Sequence, residues 1–69
     1  MSNGNKIIQR QIDLKINELK KVYQNDEDAL EVIDREIETV KNYEKEGKFQ
    51  QAKSDIVNLE AFLHDWYPV

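Results

Sequence analysis

Cysteine is absent from this 69-residue chain, histidine and proline occur once each, and glycine occurs twice. Each scarcity excludes something. Without cysteine there is neither a disulfide framework nor a thiolate for a structural zinc, two means by which small domains supplement a thin core. A chain of this length forms one domain and buries only about 60% of the surface its unfolded form exposes. Helix packing or self-association must therefore supply the stability. Apolar runs are too short to span a membrane, and the opening MSNGNKIIQRQ lacks the apolar stretch of a signal peptide. A soluble, cytoplasmic protein is expected.

Side chains for catalysis are equally scarce. Hydroxyl groups other than tyrosine come only from Ser2, Thr39 and Ser54, and the sole imidazole is His64. Ser54 and His64 fall ten residues apart on one expected helix, about 15 Å along its axis, too far for a Ser-His pair. Glu60 and His64 have i, i+4 spacing, but neither is centred on an apolar face and the inward glutamates of di-iron bundles are missing. DEDALEVIDREIE lacks the glycine of a calcium loop, and no glycine-rich phosphate loop is present. The expectation is no enzyme, no metal and no cofactor.

What the chain does have is charge, unevenly placed. The total is −4. Residues 1–25 carry Lys6, Arg10, Lys15, Lys20 and Lys21 against Asp13 and Glu18, a local +3. Residues 26–46 carry nine acids against Arg35, Lys41 and Lys45, giving −6. The rest is close to neutral. A net acidic chain without clustered cations and interleaved aromatics is not expected to bind nucleic acid directly.

Glu, Lys, Gln, Leu and Ala are abundant between residues 5 and 67, and all are good helix formers. Asn25-Asp26 reads as a break and N-cap, with Glu27 and Asp28 favourable at the positive helix end. Gly47 reads as a left-handed helix stop. Helices are predicted near 5–24, 26–46 and 48–66, with residues 1–4 disordered.

At 100° per residue, Ile8, Ile12, Ile16, Leu19, Val22 and Tyr23 share one face of the first helix. Ala29, Leu30, Ile33, Ile37 and Val40 cluster on the second, flanked by Val32 and Tyr43. On the third, Phe49, Ala52, Ile56, Leu59, Phe62, Leu63 and Trp66 form the broadest apolar face. Short connections make consecutive helices antiparallel. The fold expected is all-α: a single domain over residues 1–69 built as an up-down-up three-helix bundle, or as a long helical hairpin with the third helix packed on it. The basic first helix is expected to lie beside the acidic second.

Two stretches of the chain resemble parts of known helical families. Gly47-Lys48-Phe49-Gln50-Gln51-Ala52 resembles the turn between the paired helices of tetratricopeptide repeats, but it occurs once over six residues and implies no solenoid. Residues 7–43 resemble the helical hairpin of the sporulation aspartyl-phosphate phosphatases. Their Ser-Gln-Glu-Leu-Asp motif falls on Asp34-Arg35-Glu36-Ile37-Glu38, where Ser, Gln and Asp all differ, so the likeness implies no such activity here.

On the second helix Glu27, Glu31, Asp34 and Glu38 step by four, three and four and form one carboxylate column opposite the apolar face. A wet helix face is normally charged, yet it usually mixes signs, because like charges four apart repel by a few tenths of a kcal/mol. This column contains no lysine. The chain is therefore expected to be a small acidic protein-binding module, an inhibitor, anti-repressor or assembly adaptor of the kind found in phages and mobile elements. Its partner would be a protein with a basic surface. The competing expectations are a self-associating structural bundle and, lower, a DNA mimic. Ile7 and Leu14 make a second apolar stripe on the first helix, expected to contact a partner or a second copy in a homodimer. Trp66 is expected to cap the core and Tyr67 to lie at its rim, both doubling as contact anchors.

Overall fold

The computed structural model describes residues 3–68. They form three helices, α1 (Asn3–Val22), α2 (Glu27–Lys45) and α3 (Phe49–Trp66), with no strand among the described residues. All six helix ends fall within two residues of the sequence expectation. Asn3 and Gly4 are helical, and residues 1 and 2 lie outside the described residues. No described helix is long and apolar enough to cross a membrane.

The two turns use the residues predicted for them. Asp26 sits in extended conformation (φ −116°, ψ 98°), and its Oδ1 accepts from the Ala29 backbone N–H at 3.1 Å. That bond satisfies one of the free donors at the start of α2. At the other end of α2, Gly47 takes φ 76°. The Gly47 N–H donates to the Glu44 carbonyl at 3.0 Å and the Lys48 N–H to the Tyr43 carbonyl at 2.8 Å. These paired bonds form a Schellman motif.

A Cβ at Gly47 would meet nothing within 4 Å, so a substitution there is penalised by backbone conformation alone. Gly47→Ala is expected to cost about 1 kcal/mol. Gly4→Ala, in an open stretch of α1, should instead gain about 0.5–1 kcal/mol. Urea midpoints of the two variants moving in the same direction would contradict this account.

Ile12, Leu19 and Tyr23 from the first helix and its turn, Ala29, Ile33 and Val40 from α2, and Ala52, Ile56, Leu59 and Leu63 from α3 form the buried core. α3 packs extensively on both other helices, whereas α1 and α2 meet least. The expectation of a basic first helix lying along an acidic second is corrected accordingly. Lys20–Asp34, at 3.8 Å, is the one ion pair between α1 and α2 among the described residues, because both helices turn most of their packed surface toward α3. Lys15 turns instead to Glu60 of α3, at 3.0 Å.

Three side chains assigned to apolar faces are exposed. Val22 is the last residue of α1, where the chain leaves the helix. Phe62 lies about 100° around α3 from Leu63 and so falls on the flank of that helix. Trp66, expected to cap the core, is 71% exposed. It ends α3 with no further helix turn to lie over it, and Tyr67 packs against the core in its stead.

Candidate protein-binding surfaces

The Cα envelope measures 39 × 17 × 16 Å, slender enough that any site is a surface groove or face. Three surfaces stand out, and α3 separates two of them.

The first is the outer face of α2. Glu27, Glu31, Asp34 and Glu38 are all exposed, as the spacing requires. Their compensation is loose. Glu31 Oε1 lies 3.7 Å from Arg35 Nη2, and Asp34 Oδ1 lies 3.8 Å from Lys20 Nζ. No ion pair among the described residues includes Glu27 or Glu38. Exposed pairs of this kind contribute roughly 0–1 kcal/mol, so the fold does not depend on the column.

The second surface is the groove between α2 and α3. Val32, Leu59 and Phe62 form its apolar wall, Arg35 and Asn58 its polar edge, and Glu36 and Asp55 its charged part, around a volume of about 340 Å³. Phe62 extends this wall toward the end of the bundle. Its ring centroid is 6.2 Å from that of Trp66 and 6.3 Å from that of Tyr67, all three tilted as aromatic clusters prefer.

Within the groove the Glu36 carboxyl meets the Asp55 carboxyl from the facing helix. Hydrogen bonding to Asp55 favours the protonated form of Glu36, and partial burial and the Asp55 charge add to this. Together they push its pKa up to about 7. Asp55 Oδ2 is buried without a hydrogen-bond partner, and a proton carried by the pair supplies the missing donor. Glu44, further along α2, is also raised, chiefly by burial and then by the Asp13 charge, with Lys41 opposing; its Oε2 likewise lacks a donor.

These two carboxyls were not among the residues singled out by charge pattern, although their spacing contained the signal. Ala29, Ile33, Glu36 and Val40 step by four, three and four, which places Glu36 inside the core stripe of α2. Asp55 stands three residues after Ala52 and four before Leu59 on α3. A carboxyl at such a position has to find a partner on the facing helix.

The third surface is the outside of α1. Ile7 is 58% and Leu14 63% exposed, so this stripe is open as expected. Gln11, Leu14, Lys15 and Glu18 line a shallow depression there. Lys15 bonds Glu18 at 2.8 Å as well as Glu60, and both bonds raise its pKa. Glu60 is thus engaged with a cation, while His64, four residues on, is exposed. Among the described residues no group of three or more His, Asp or Glu side chains is arranged to hold a metal.

Comparison of the chain with family models, with curated proteins and with solved structures returned no match in any of the three.

Proposed function

We propose that this chain is a small protein-binding module that recognises a basic surface of another protein through the outer face of α2, with no catalytic role. The observation carrying this reading is the column Glu27, Glu31, Asp34 and Glu38: four carboxylates on successive turns, all exposed, with loose pairing for two of them. Successive turns are about 5.4 Å apart, so a complementary row of Lys or Arg side chains can meet them together. Such a contact is governed by charge steering and weakens with salt. Inhibitor, anti-repressor and assembly adaptor are the roles a rigid module of this kind can fill.

The test uses two baits in a source-organism lysate: the wild type and the variant Glu27→Gln, Glu31→Gln, Asp34→Asn, Glu38→Gln. All four positions are exposed, so circular dichroism should be unchanged. The wild type is expected to retain at least one protein that 0.5 M salt releases and that the variant fails to retain. Identical bound sets for the two baits would overturn the reading.

A further inference from the structure

Two surfaces on different flanks of the bundle expose large apolar side chains beside charges of opposite sign. On α1, Ile7 and Leu14 lie in one strip, with Arg10 and Lys21 in the same strip by helical spacing, Lys6 on its edge, and Glu18 beside Leu14 neutralised by Lys15 at 2.8 Å. Across the bundle, the α2/α3 groove presents Phe62, 43% exposed, with Glu36 and Asp55 against the single cation Arg35 in its lining, and Trp66, 71% exposed, stacks 6.2 Å beyond Phe62. No ion pair among the described residues reaches either of those carboxyls. Neither surface is explained by the fold of a single chain.

We propose that the α2/α3 groove receives the exposed face of α1 from a second copy of this chain, with Arg10 of that copy on Glu36 and Asp55 and its Leu14 against Leu59 and Phe62. Within one chain, α1 already runs parallel to α3, and Lys15–Glu60 sets their offset at 45 residues. The same offset on the other flank of α3 brings Arg10 level with Asp55, Leu14 with Leu59 and Lys21 with Trp66. The apolar stem of Lys21 can then lie across the indole.

Charge selects this pairing over its rivals. Two α1 faces brought together would set +3 segments against each other, and two α2 faces would set −6 segments against each other. α1 on the acidic column of α2 would also join unlike signs but would leave Ile7 and Leu14 without an apolar wall; α1 on the α2/α3 groove joins unlike signs and supplies Val32, Leu59 and Phe62 as that wall. An ordinary stable interface takes roughly 800 Å² from each partner, about a sixth of this chain's 5124 Å². Each copy can therefore offer one surface and accept on the other. Such contacts are head-to-tail and build a ring or an open chain. The acidic column takes no part, so this proposal and the partner reading fail independently.

Sedimentation and fluorescence decide it, because Trp66 is the only tryptophan. The wild type is expected to grow in mass above 8.2 kDa with concentration. Arg10→Glu/Leu14→Glu and Phe62→Lys/Trp66→Lys, all at exposed positions, should each be monomeric alone. Mixed in equal amounts, each supplies the surface the other lacks. The mixture should give a one-to-one dimer and a blue shift of Trp66 emission from the first variant. Should the lysine pair lose helicity, Glu36→Gln/Asp55→Asn takes its place, with association weakened at least tenfold. The proposal is overturned by a wild type that stays monomeric at millimolar concentration, by a groove variant that associates like wild type, or by a mixture that stays monomeric.

Discussion

Leu63→Ala is expected to leave most of the chain unfolded at 37 °C. Leu63 is fully buried in the last turn of α3, the helix that joins the other two. Truncating a buried leucine to alanine costs about 2–5 kcal/mol, through lost transfer energy and the cavity left behind. A domain of this size has a total stability of only about 3–10 kcal/mol, without disulfide or metal to raise it. Trp66→Ala, three residues on at a 71% exposed position, is expected to shift monomer stability by no more than about 0.5 kcal/mol. Urea denaturation of both variants at dilute concentration checks the contrast. Equal losses would mean that Trp66 is packed into the core after all.

Glu36→Gln is expected to stabilise the protein at pH 8 and to leave it unchanged at pH 4. Glu36 titrates near its ordinary 4.5 in the unfolded chain and at about 7 in the folded one. Between those values the native state holds a proton that the unfolded state has released, so stability falls as pH rises from 4.5 to 7 and then levels off. A displacement of that size corresponds to at most roughly 3 kcal/mol, and the solvent-open groove reduces this to about 1–2 kcal/mol. Glutamine offers Asp55 a hydrogen-bond donor at every pH and carries no charge. The variant should therefore lose most of the slope, with Glu44 contributing what remains in the same direction. Urea midpoints for both proteins from pH 4 to 8.5 measure it. Parallel curves would show that the Glu36–Asp55 contact does not form in solution.

Most of the fold was legible because its signals are local. Asp26 caps α2 because an Asx side chain can bond a backbone N–H three residues on, and Gly47 stops α2 because only glycine takes φ 76° without strain. The exposure of Ile7, Leu14 and the four-carboxylate column followed from spacing alone. The exposure of Trp66 was not legible in this way. A helical wheel assigns a direction to a side chain but not whether a neighbouring helix extends far enough to cover it.

By itself the sequence determined three helices, their ends, their antiparallel order and the faces turned inward, because each depends on interactions within about one helix turn. Only the tertiary structure decided that α3 holds the other two helices, that Lys15 reaches Glu60, and that Glu36 faces Asp55 across a groove walled by Val32, Leu59 and Phe62. Those contacts join residues far apart in the chain. They depend on the rotation and offset of whole helices, which the volumes of buried side chains, from Ala29 and Ala52 to Ile33 and Leu63, help to set.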